Sequence, residues 1–90
     1  MATLFKTDGT IVEITPENGK KFNLKEAQGL VGGLVELVNL GHREMLICNE
    51  EGIINNLPYN HNATMKLKEA FGPYAQHLYG DIILCKTKEF

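Results

Sequence analysis

Leu34-Val35-Glu36-Leu37-Val38-Asn39-Leu40, then Gly41-His42-Arg43, then Glu44-Met45-Leu46-Ile47-Cys48-Asn49: residues 34–49 read as two strands joined by a tight connection. Branched and aliphatic side chains fill both arms, and the Gly41-His42-Arg43 segment between them turns the chain. The apolar face of this hairpin carries Val35 and Leu37, and the pair is expected at the centre of a sheet. Upstream, residues 3–7 and 10–15 are rich in β-branched and aromatic residues and flank Asp8-Gly9. Glycine tolerates the positive φ of a type I′ turn, so the chain opens with another hairpin.

Between the hairpins, Pro16, Asn18 and Gly19 break the strand, and Asn23 followed by Glu26 has capping-box spacing. A short helix is predicted from Leu24, with Leu24, Ala27, Leu30 and Val31 on one face and Gly32-Gly33 as its stop. After the central hairpin, Glu50-Glu51-Gly52 turns the chain and Ile53-Ile54 offers a short strand. Asn62 is positioned to cap a second helix in which Ala63, Leu67, Ala70 and Phe71 share a face, ended by Gly72-Pro73. A last strand, Ile82 to Thr87, is apolar enough to need partners on both faces. The expected order is ββαβββαβ, an α+β domain with a mainly antiparallel sheet and two short helices packed on one face. The hairpin-then-helix opening is similar to a β-grasp start, from which the continuation departs.

Ninety residues, 43% hydrophobic and 22% charged, suffice for one modest core, so a single domain over residues 1–90 is expected and a two-domain enzyme is excluded. Nine Lys and Arg against eleven Asp and Glu leave a formal charge of -2, and Arg43 is the only arginine, a poor endowment for gripping duplex nucleic acid. The chain has no serine and no tryptophan, which removes serine-triad hydrolysis and a Trp stacking platform. The amino-terminal residues run straight into an alternating pattern without the apolar stretch of a secretory signal, and no segment approaches the roughly 20 apolar residues of a bilayer span. A cytoplasmic protein with no membrane partner is expected. Cys48 and Cys85 each follow branched apolar residues and read as buried strand thiols in a reducing compartment. Neither linker-like composition nor an internal repeat is present.

Asn49, Asn55, Asn56, Asn60 and Asn62 fall within fourteen residues, together with Tyr59 and His61. Uncharged amides offer donors and acceptors suited to base edges, ribose hydroxyls or a peptide backbone, although asparagine is also the ordinary residue of caps and turns. The predicted helix start at Asn62 to Thr64 adds N–H groups that favour an anion. His42, His61 and His77 have no i, i+4 pair, so no metal is expected. Glu50-Glu51 flank a glycine turn and read as solvated, as do Lys20-Lys21 and Lys66 with Lys68. Neither a phosphate loop nor a dinucleotide fingerprint occurs, and no cofactor is expected.

Val31-Gly32-Gly33-Leu34-Val35-Glu36, Cys48-Asn49-Glu50-Glu51-Gly52, Leu57-Pro58-Tyr59-Asn60, Ala63-Thr64 and Gly80-Asp81-Ile82-Ile83 form an ordered set. The set resembles domain-of-unknown-function family 3846, small phage and mobile-element proteins with V-G-G-x-x-E, N-E-E-G, L-P-x-N, A-T and late G-D elements. Ile53-Ile54-Asn55-Asn56 departs from that pattern, which has a lysine and a glycine after the turn, and residues 73–79 lie outside it. The resemblance implies a viral or mobile-element setting, with the host cytoplasm as the place of action, and supplies no catalytic residues.

Without a nucleophile, metal set or cofactor loop, binding is favoured over catalysis. By analogy with phage proteins of this size, the leading expectation is sequestration of a nucleotide-derived host defence signal, of the cyclic oligonucleotide or cyclic ADP-ribose type. A protomer this small cannot enclose such a guest alone, so a homo-oligomer is expected, with Asn49, Tyr59, Asn60, His61, Asn62, Thr64 and Arg43 as ligand-binding residues. The alternatives are a protein–protein inhibitor or accessory factor gripping a host enzyme through a strand or residues 74–79, and a nucleotide-signal hydrolase using Glu50 or His61 as base.

Overall fold

The computed structural model describes residues 2–90. It contains β1 (Ala2–Phe5), β2 (Ile11–Ile14), α1 (Leu24–Val31), β3 (Val35–Gly41), β4 (Glu44–Asn49), α2 (His61–Phe71) and β5 (Ile82–Lys86), followed by a short 3-10 turn at Thr87–Glu89. The strands form one five-stranded sheet in the order β2-β1-β5-β4-β3, with every neighbouring pair antiparallel. This is the expected α+β class. Ile53-Ile54 adds no strand: residues 51–56 form turns closed by Asn55 N–H to Glu51 O and Asn56 N–H to Ile53 O, and both isoleucines face solvent.

β5 sits at the centre of the sheet, between β1 and β4, and its residues 82–85 are apolar on both faces. Ile83 and Cys85 point to the side that also holds Leu4, Met45, Ile47, Phe22 and the α1 residues Ala27 and Val31. Ile82 points to the other side, with Phe5, Leu40, Leu46, Cys48 and the α2 residues Ala63 and Leu67. The two helices therefore cover opposite faces of the sheet, correcting the expectation that both pack on one. The cause lies in β4 and β5 themselves: Met45-Leu46-Ile47-Cys48 and Ile82-Ile83 do not alternate polar with apolar, and such strands are stable only when both faces are covered. Leu46, Ile47, Ile82 and Ile83 are fully buried, each contributing about 1.5–3 kcal/mol by area.

Local chemistry sets the element ends. Asn23 caps α1, its Oδ1 accepting from Glu26 N–H at 2.8 Å, and Gly32 ends the helix in the left-handed region. The Glu26 carboxylate does not close a capping box; its Oε2 accepts from Glu17 N–H at 2.8 Å and so holds the β2–α1 connection. The first hairpin turns through a three-residue loop with Gly9 at φ 91°, Gly9 N–H donating to Lys6 O and Lys6 N–H to Thr10 O. That is a type I turn followed by a glycine bulge, in place of the expected two-residue turn. Conversely, the β3–β4 connection is a two-residue loop with His42 at φ 52° and Arg43 at φ 63°, the type I′ geometry. Leu24, Leu37 and Phe71, all expected on buried faces, are exposed; Leu37 lies on β3, an edge strand of the sheet.

The carboxyl terminus is held by Glu89, whose carboxylate accepts from Lys86 N–H at 2.8 Å and whose carbonyl accepts from Phe22 N–H. Burial pushes this carboxyl up, but hydrogen bonding and the charge of Lys88 outweigh burial and hold it below its ordinary value of 4.5. A carboxyl depressed in the folded state stabilises the fold above its unfolded pKa, and that stabilisation is lost as pH falls through the folded value. Stability is expected to decline below about pH 4.5, and Glu89→Gln should flatten part of that decline. Urea titrations of both proteins across the acid range check this, and parallel acid slopes would contradict it.

Candidate functional site

Asn60 is fully buried and uses its whole side chain on main chain. Its Nδ2 donates to Phe5 O and Gly80 O, both at 2.8 Å, and its Oδ1 accepts from Ala63 N–H at 3.0 Å as the cap of α2. Its own N–H donates to Leu78 O, and its carbonyl accepts from Thr64 N–H and from Thr64 Oγ1. Thr64, equally buried, accepts from Leu78 N–H at 2.9 Å. The helix start is therefore capped two residues earlier than expected, and the Ala63 and Thr64 N–H groups that were to meet an anion are bonded to Asn60. Asn60 and Thr64 present no surface to a ligand and act as structural ties.

The other amides diverge. Asn49 is buried, its Nδ2 donating to Val31 O and its Oδ1 accepting from Glu51 N–H, while Asn62 Nδ2 reaches Gly9 O at 3.3 Å on the first hairpin. Asn55 and Asn56 lie in the exposed 51–56 turn, Asn56 with φ 54°. The five asparagines thus do not converge on one cleft, because most are consumed by caps and turns.

A cleft does open beside them, about 320 Å³ in volume, where the end of β4 meets the 50–54 turn and residues 76–79. Its walls carry the carboxylate residues Glu36 and Glu50, the rings of His77 and Tyr79, Gln76, and an apolar floor that includes Cys48 and Leu78. Antiparallel register places Glu36 opposite Cys48. Gly52 permits the turn to approach residues 76–79, since a Cβ there would stand 3.1 Å from Tyr79 O. Gly80, at φ 85°, closes the same loop, and a side chain there would collide with Leu57. Asn49 also borders the cleft.

Tyr59 stands at the rim. Its ring meets His77 at 5.3 Å, Tyr79 at 6.1 Å and His61 at 6.2 Å between centroids, all edge-on, the preferred geometry for aromatic pairs. Of the residues expected to bind ligand, Tyr59 and His61 therefore meet beside the cleft and Asn49 lines it. Arg43 is at the other end of β4, about 17 Å away along five residue steps. Glu36, Gln76 and His77 were not singled out as site residues in the sequence. The signal in the sequence that touched Glu36 was its place in the V-G-G-x-x-E element, and the structure's register, pairing Val35 with Asn49, puts it across from Cys48.

Burial, with a smaller push from Glu36, raises the Cys48 thiol to about 12, and burial, with Glu89, raises Cys85 to about 11. Both stay protonated at neutral pH and lack nucleophilic character. They belong to opposite faces of the sheet and are not disulfide-bonded. Among the described residues, no group of three or more His, Cys, Asp or Glu is placed to hold a metal, and no helix is long and apolar enough to cross a membrane.

A family model described as a domain of unknown function, DUF3846, matches residues 2–90. The chain belongs to that family. No curated protein and no solved structure matches it. For this DUF3846 member, the geometry of the cleft and the rim is accordingly what speaks to function.

Asn60→Ala is expected to lower stability by about 3 kcal/mol, one helix cap and two carbonyls losing their partner, whereas Asn62→Ala should stay within about 0.5 kcal/mol. Thermal melts of the two variants check this, and comparable small effects would contradict it. Both native thiols should react with a thiol reagent only as fast as the protein unfolds; prompt labelling of Cys48 in native buffer would refute its assigned burial.

Proposed function

We propose that this protein is a non-catalytic binding protein whose cleft takes the nucleoside portion of a nucleotide-derived signalling molecule and withholds it from a host receptor. The observation that supports this most directly is the joint presence in one cleft of two carboxylate residues, Glu36 and Glu50, and two rings, His77 and Tyr79. Carboxylates accept from ribose hydroxyls and exocyclic amines, and aromatic rings pack against bases. The same carboxylates repel phosphate, so on this reading base and sugar enter while the phosphate faces outward. A cleft of about 320 Å³ is at the small end of ligand sites, and a nucleotide would protrude from it. We propose a second copy as its cover, which would make the working form a homo-oligomer; β2 and β3, the two outer strands of the sheet, offer unpaired edges for such assembly. The setting proposed, by analogy with small phage proteins, is a phage or mobile element acting in host cytoplasm on a cyclic oligonucleotide or cyclic ADP-ribose signal.

A second reading, an inhibitor or accessory factor that grips a host protein, is favoured by a specific observation. Ile53 and Ile54 at the cleft edge are 71% and 75% exposed, and Tyr74 on the neighbouring loop is 99% exposed. Aromatic and branched residues standing in water are the usual anchors of protein partners.

Thermal shift against adenosine, cyclic dinucleotides and cyclic ADP-ribose distinguishes the readings. The sequestration reading predicts a gain of about 4 kcal/mol at a thousandfold excess over Kd, with the ligand recovered unaltered after denaturation. Glu36→Gln should weaken that binding about tenfold without lowering the melting temperature. Absence of any shift favours the protein-partner reading, and recovery of a cleaved ligand would establish a hydrolase instead.

A further inference from the structure

We propose that the tip of the β3–β4 hairpin and the carboxyl-terminal turn together bind a phosphate-type anion, at a site separate from the cleft. An open cavity of about 580 Å³ lies between them, lined by His42, Arg43, Lys86, Thr87, Lys88 and Glu89. Three formal cations and an imidazole gather there, on a chain whose net charge is -2. Thr87 N–H donates to Arg43 O at 2.8 Å, which fixes the two segments to one another. The Glu89 carboxylate, which accepts from Lys86 N–H, offsets one of these charges, and three cations against one carboxylate leave the lining net positive. Lys86 Nζ stands 4.0 Å from Glu44, at the limit of an ion pair, and Arg43 forms no ion pair among the described residues.

The backbone supplies an independent observation. Type I′ turns favour Asn-Gly because both central residues take positive φ. This chain places glycine at six other positive-φ positions and asparagine, which tolerates that region, at one, yet at φ 52° and 63° it has His42 and Arg43. Unfavourable backbone conformation retained at an exposed tip, where glycine would relieve it, is the pattern of a position kept for its side chain. A guanidinium, two ammonium groups, an imidazole and a hydroxyl match a compact anion with several acceptor oxygens. The cluster is too small and the chain too acidic for a duplex backbone.

The test is a ¹⁵N NMR titration with inorganic phosphate, ionic strength being held constant with sodium chloride. Saturable shifts confined to residues 42–44 and 86–89 are expected, leaving Lys20 and Lys21 unmoved. Arg43→Gly should weaken phosphate binding tenfold or more while raising the melting temperature, and Lys88→Gln should weaken it without that rise. Shifts reproduced by chloride alone, or undiminished binding by Arg43→Gly, overturn the proposal. Adenosine monophosphate, run in parallel, separates the sources: tighter binding at the tip than inorganic phosphate assigns a phosphate ester, and equal binding a free anion. Because this site is read at the hairpin tip, it stands or falls independently of the nucleoside cleft.

Discussion

One buried carboxamide holds the fold's separate parts together. Asn60 joins the end of β1 through Phe5, the approach to β5 through Gly80, the 74–79 loop through Leu78, and the first turn of α2 through Ala63 and Thr64. These segments are far apart in sequence, and each presents a main-chain group that burial would leave unpaired. A buried amide with all its donors and acceptors matched is stabilising and specifies a single arrangement; with one missing it becomes a liability. Polar residues in the interior of so small a domain are costly, so this one earns its place only by closing several gaps at once.

The cleft follows from that tie. Asn60 N–H to Leu78 O and Gly80 N–H to Pro58 O bind residues 58–60 to 78–80 as a short ribbon, joined by the Tyr59–Tyr79 bridge. The ribbon stands His77 and Tyr79 against the end of β4, where Glu36 and Cys48 face each other across the strands. Structure-bearing asparagines thus lie beneath the candidate site, and its chemistry comes from acidic and aromatic side chains above them. The basic cavity at the other end of β4 completes a polarity along the hairpin, acidic at its base and basic at its tip.

Much of the architecture was legible because it rests on local chemistry. The Asn23 cap, the Gly32 stop, the β4 boundaries and the hairpin at residues 34–49 depend on nearest neighbours and on alternation, which a single chain displays openly. The sidedness of the helices did not follow, although the two-faced apolar runs of β4 and β5 contained the information. The extra strand at Ile53-Ile54 failed because branched residues alone do not make a strand when no edge is offered to them. Of the asparagine cluster, Asn49 and Asn60 are buried and bonded to main chain while Asn55 and Asn56 stand exposed in a turn: density in sequence says that hydrogen bonds are needed, and only tertiary structure says where each amide points. Gln76 and His77 line the cleft with Cys48 although they lie 28 and 29 residues further along the chain, beyond any local pattern.

The most direct measurement is hydrogen exchange of the Asn60 side-chain amide, followed by NMR in the free protein and with the cleft saturated by a bound nucleoside. If the carboxamide is a structural tie, its two protons exchange as slowly as the most protected backbone amides and their resonances hold still while those of Cys48 and His77 move. Rapid exchange, or a large ligand-induced shift at Asn60 itself, would return that residue to the binding surface and contradict the division between tie and site.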